Sequence, residues 1–127
     1  VNDLPLRVAL QQTLQGLADQ IPSYDPEYDA GFVGDDTRYE HLHWMIDQCL
    51  VNLMEWPTDK ISRWIGFIQG VQVARGDMDS DKERDRTRPF FHKAYEAMGL
   101  KKPETVDRHS DGSIEGHQTI DDLFQKR

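Results

Sequence analysis

Arg84, Arg88 and His92 recur four residues apart, so on one continuous helix they would stack into a ridge. Guanidinium groups bind phosphate and carboxylate oxygens through paired N–H donors, which makes this ridge a candidate anion or nucleotide site. Asp81, Glu83 and Asp85 stand near the same arginines, and a salt-bridged solvent face is the competing reading. Pro89 falls inside the ridge and either kinks the helix or restarts it.

A second chemical pattern lies upstream. Asp25, Glu27 and Asp29 alternate, Phe32 takes the eighth place and Asp36 the twelfth, which superficially matches a calcium loop. Calcium loops want glycine at the sixth place and a bidentate Glu at the twelfth. Here the sixth is Ala30, glycine comes one late at Gly31, and the twelfth ligand is the shorter Asp36. No metal is expected. Asp25, Glu27, Asp29, Phe32, Asp35 and Asp36 are read instead as an acidic loop able to contact a partner. His41 and His43 are two apart, which on a helix turns them about 200° from each other. Cys49, the single cysteine, sits among Met45, Ile46 and Leu53 as a buried small hydrophobe. No glycine-rich phosphate loop, nucleophile elbow or zinc-protease helix occurs, so neither catalysis nor a cofactor is expected.

The 127 residues carry a formal charge of −8, unevenly spread: residues 1–59 hold −9 and residues 60–127 hold +1. That balance disfavours direct DNA binding, which uses a basic stripe, and suits an acidic surface facing a basic protein groove. It also admits DNA mimicry. No apolar run is long enough to span a bilayer, and the first residues lack a secretory layout, so a cytoplasmic location without membrane contact is expected.

Four helices must position these groups. Leu6, Leu10, Leu14, Leu17 and Ile21 mark the first, between Pro5 and Pro22. Thr37 to Glu40 has the capping-box pattern and opens a second helix reaching about Trp56. Thr58 or Asp59 caps a third that ends at Gly76, and a second capping box at Ser80 to Glu83 opens the fourth, which ends before Gly99. The expected fold is all-α: a small bundle of about four helices over residues 1–99 with a central antiparallel hairpin, and a flexible tail over residues 100–127. Within the tail, Ile120, Leu123 and Phe124 could form one amphipathic turn or dock on a partner. The segment Ile120-Asp121-Asp122-Leu123-Phe124 resembles the ending of peptides that bind the bacterial sliding clamp.

Gly66, Gly70 and Ala74 lie four apart on the third helix. Each interior glycine costs about 1 kcal/mol relative to alanine, so a close helix–helix contact is expected in return, with the second helix or with another copy of the chain. Trp44 and Phe67 point away from the apolar stripes of their helices and are candidate anchors for self-association or a partner.

Arg63-Trp64-Ile65-Gly66-Phe67-Ile68-Gln69-Gly70-Val71, followed by Glu83-Arg84-Asp85 and Thr87-Arg88-Pro89 and preceded by His43 to Asp47, resembles small, mostly uncharacterised helical proteins encoded by bacteriophages and prophages. The resemblance covers roughly residues 37–98. It implies a phage accessory protein acting inside an infected bacterium and carries no assigned catalytic residues. Together these features predict a non-enzymatic, homo-oligomeric protein that binds and inhibits or modulates a host factor of defence or nucleic-acid processing. An oligomeric sponge for a small cyclic nucleotide and an acidic DNA mimic are the alternatives.

Overall fold

Leu10, Leu14 and Leu17 are fully buried along one side of α1 (Leu4–Gln20), with Pro5 in the first turn, where a missing N–H costs nothing. A computed structural model describes residues 2–25 and 34–104 of the chain. Three further helices follow: α2 (Tyr39–Val51), α3 (Thr58–Ala74) and α4 (Ser80–Ala97), with a single 3-10 turn at Asp35–Thr37 before α2. No strand occurs among the described residues. The fold is a small all-α bundle in which α1 packs against the other three helices, most extensively against α4, and α2 packs against α3. Its core joins the α1 leucines to Leu42, Ile46 and Cys49 of α2 and Ile61, Ile65 and Ile68 of α3.

Helix α2 stops five residues before Trp56, shorter than its apolar spacing suggests. The chain instead turns over Asn52 to Trp56, with the Trp56 N–H donating to the Asn52 carbonyl at 2.9 Å. Arg7 of α1 holds this turn: its Nη1 donates to the Leu53 carbonyl at 2.6 Å and to the Trp56 carbonyl at 2.7 Å. A guanidinium that satisfies two turn carbonyls makes the turn competitive with another helical turn.

The helix starts differ from both capping-box expectations. At α2 neither Thr37 nor Arg38 caps; the Tyr39 N–H donates to the distant Asp25 carboxylate at 3.3 Å. At α4 the cap is Asp79, one residue earlier than Ser80, accepting from the N–H groups of Asp81 and Lys82. Pro57 precedes α3 without any side-chain cap, so neither Thr58 nor Asp59 fills that role. The exits of α3 and α4 follow expectation: Gly76 and Gly99 take φ of +79° and +70°, the left-handed geometry that ends a helix. Pro89 lies inside an unbroken α4, so the arginine ridge is continuous.

The small-residue stripe does not face α2, one of the two neighbours expected of it. Ile61, Ile65, Ile68 and Gln72 form the buried face of α3, and Gly66, Gly70 and Ala74 lie on the opposite side, exposed. A methyl group at Gly66 or Gly70 would meet none of the described residues within 4 Å. Helix α2 therefore does not rest on the stripe. Glu27, Asp29 and Phe32, and the tail from residue 105, lie outside the described residues.

Candidate functional site

Between Arg63 and Arg75 the exposed positions of α3 are Gly66, Phe67, Gly70, Val73 and Ala74, and none carries a polar side chain. Helix faces turned to water normally alternate charge with small polar groups; this one spans more than two turns without either. Phe67 and Val73 are 43% and 41% exposed, with glycine between them, so the backbone itself is approachable from outside. Phe67 stands three residues from Trp64, a neighbouring position on the helix surface. Trp64 in turn meets the half-exposed Trp44 of α2 at 5.9 Å between ring centroids.

That aromatic run extends at both ends. His41 stacks on Trp44 at 5.5 Å, Trp56 meets Trp64 edge-on at 4.9 Å, and Lys60 Nζ lies 3.8 Å above the Trp56 ring. Trp44, singled out by sequence as an anchor, thus sits within one aromatic strip, and Phe67 lies one helical turn from its Trp64.

The stripe forms the floor between two depressions. One, of about 530 Å³, lies in the α3–α4 cleft and is lined by Gly70, Val73, Ala74, Met78, Arg84 and Thr87 among others. The other, of about 410 Å³, lies on the far side between Phe67, Thr37 and Arg75 and shares Gly70 and Ala74. A third depression of about 310 Å³ runs along α4 and brings together Arg84, Arg88 and His92 with Phe91, Tyr95, Pro103 and Glu104. Arg84 and Thr87 line both this groove and the α3–α4 cleft, so an apolar recess continues into a cationic one. Arg84 is held only loosely, 3.9 Å from each of Asp81 and Asp85. Arg88 has no side-chain hydrogen bond or ion pair among the described residues.

Beneath the cleft, Glu83 ties three helices together. Arg86 donates to both of its oxygens, from Nε at 2.8 Å and from Nη2 at 2.9 Å, and Gln69 of α3 adds a third bond at 2.9 Å. Arg86 also reaches the Thr13 carbonyl of α1 at 3.3 Å. Burial pushes the Glu83 carboxyl up, but the hydrogen bonds from Arg86 and Gln69 outweigh it and leave it below the usual glutamate range. Glu83 is thus structural and does not neutralise the exposed arginines.

Asp25 is corrected from a surface contact to a core group. It is 1% exposed and its carboxylate pairs with Arg75, whose Nη1 also donates to the Thr37 carbonyl at 3.0 Å. The Arg75 guanidinium covers the Tyr39 ring at 3.9 Å, and the Tyr39 hydroxyl donates to Asp77. An ion pair this deep fixes the C-terminus of α3 to the N-terminus of α2. Asp35 and Asp36 remain exposed.

The other titratable groups serve the fold. His43 Nε2 lies 2.9 Å from the Ile21 carbonyl and 3.1 Å from that of Pro22, at the end of α1. Burial raises the Cys49 thiol to about 11, keeping it protonated and unreactive at neutral pH. Among the described residues no group of three or more His, Cys, Asp or Glu side chains could hold a metal ion. None of their helices is long and apolar enough to cross a membrane.

Neither sequence reasoning about α1 nor its periodicity singled out Gly16, Arg75 or Arg86, although a lone glycine inside a leucine-rich helix was the available signal. Comparison of the chain with protein-family models, curated proteins and solved structures yields no match.

Proposed function

We propose that this chain is a non-enzymatic accessory protein of the phage type that binds a host protein and modulates it, acting in the cytoplasm of the infected bacterium. The uncharged outward face of α3 carries this reading. A solvated helix has no stability reason to keep two glycines and a phenylalanine side by side, whereas a docked partner benefits from close backbone approach and an aromatic anchor. Trp44 and the neighbouring tryptophans supply further apolar area, and the exposed Asp35 and Asp36 supply a charged rim. Affinity capture from bacterial lysate, coupled to mass measurement of the intact complex, tests it. A stoichiometric host protein recovered by the wild-type chain and lost with Phe67→Asp is the expected result. Recovery of no stoichiometric protein by the wild-type chain would overturn it.

A second reading is favoured by the convergence of Arg84, Arg88 and His92 on one groove with Phe91 and Tyr95. Two arginines beside aromatic rings suit the phosphate and base of a small nucleotide. Calorimetric titration with a panel of linear and cyclic nucleotides tests it, with binding lost in Arg84→Glu/Arg88→Glu. Silence across the panel removes this reading.

A further inference from the structure

The α3–α4 cleft and the groove that continues from it along α4 form one amphipathic channel, apolar at Gly70, Val73 and Met78 and cationic at Arg84 and Arg88. We infer that its occupant is the chain's own segment Ile120–Phe124, which docks with Ile120, Leu123 and Phe124 in the apolar part and with Asp121 and Asp122 against the two arginines.

Three observations converge on this occupant. Direction comes first: after Gly99 the chain reverses, the Leu100 N–H donating to the Tyr95 carbonyl at 2.8 Å, and Pro103 and Glu104 already line the α4 groove. The remaining chain therefore leaves from the channel itself. Reach comes second. Fifteen residues separate Glu104 from Ile120, a number whose random-coil end-to-end distance is about 20 Å. The four to eleven helical residues from His92 or Tyr95 back to Arg84 or Arg88 span at most about 17 Å at 1.5 Å per residue. A tether so matched places the segment at an effective concentration on the order of millimolar, enough for a weak contact to be occupied.

Chemistry comes third. Ile120, Leu123 and Phe124 recur at i, i+3 and i+4, the spacing that gives a single apolar face in one helical turn, and the two aspartates between them face elsewhere. The channel offers the complement: an apolar recess whose floor lacks side chains at Gly70, adjoining two arginines, one loosely paired and one without a partner among the described residues. This inference concerns a contact within the chain and its test needs no host protein, although both contacts use Gly70 and Val73.

Amide resonances of the full-length protein test it. In the wild type, the ring of Phe124 shifts the Gly70 and Ala74 amides relative to a full-length Leu123→Asp/Phe124→Asp variant, at any protein concentration. Full-length Arg84→Glu/Arg88→Glu moves the same amides toward the positions of that variant. A synthetic peptide of residues 116–127, added to the Leu123→Asp/Phe124→Asp protein, restores the wild-type positions, and the arginine substitutions weaken it about tenfold at low salt. Identical Gly70 and Ala74 resonances in wild type and Leu123→Asp/Phe124→Asp would overturn the inference. Shifts that vanish on dilution would overturn it equally, because they assign the segment to a second copy of the chain.

Discussion

A methyl group at Gly16 would stand 2.0 Å from Nη1 of Arg86, so α1 omits a side chain at the point where α4 lays its guanidinium across it. The omission lets Arg86 reach the Thr13 carbonyl while it holds Glu83. Alanine is ordinarily favoured over glycine in a helix by about 1 kcal/mol. Here Gly16→Ala displaces Arg86 and leaves a buried carboxylate short of its partner, a loss of about 1–3 kcal/mol that outweighs the propensity gain. Urea denaturation of Gly16→Ala, Arg86→Ala and the double variant checks this. The substitution destabilises the wild type and stabilises the Arg86→Ala background, a sign reversal that only a shared contact produces.

Glu83 also sets an acid limit on stability. Its carboxyl is held below the range it has in the unfolded chain, so the native state favours the ionised form. The associated stability is fully present above the unfolded value of about 4.3 and is lost as pH falls through the lower native value. Thermal midpoints measured from pH 6 to pH 2 should therefore decline below about pH 4.5. In Glu83→Gln that part of the decline disappears, while the midpoint at neutral pH is lower than in the wild type.

Gln72 is 1% exposed on the buried face of α3, and its Oε1 has no hydrogen-bond partner among the described residues. An unsatisfied buried carbonyl costs about 1–3 kcal/mol, and leucine has comparable volume without the polar atoms. Gln72→Leu is expected to raise stability by about 1 kcal/mol in denaturant titration. A loss of stability would mean that a water bridges Oε1 to the surrounding core.

The helices were legible because each repeats its apolar residues at helical spacing, and the two left-handed glycines marked their ends. Helix starts were less so. The Thr37 pattern satisfied a local rule, yet Asp25, distant in sequence, supplies the carboxylate at α2, and no local rule reports a residue that arrives through tertiary folding. Asp25 itself looked like part of an acidic surface because its neighbours are acidic; its partner Arg75 lies fifty positions away. The ridge of Arg84, Arg88 and His92 was readable from spacing alone once Pro89 proved compatible with a continuous helix. The glycine stripe is visible in the sequence, but the side it faces is not, since spacing reveals that residues share a face and not which way that face turns.

The outward stripe yields opposite consequences for stability and for binding. Because a methyl group at Gly66 or Gly70 meets none of the described residues within 4 Å, alanine at either position adds helix propensity without a clash among them. Gly66→Ala, outside the α3–α4 cleft, should stabilise the isolated protein by about 0.5–1 kcal/mol, measured by denaturant titration. Gly70→Leu also leaves the isolated fold intact, but it fills the floor between Phe67 and Val73 on which a docked helix would rest. Capture of the host protein should fall with side-chain size at position 70, from glycine through alanine to leucine, while stability does not fall in parallel. Destabilisation by Gly66→Ala alone would show instead that this end of the stripe is already covered in the isolated protein. Binding that survives Gly70→Leu would move the contact to the Trp44 side of the aromatic strip.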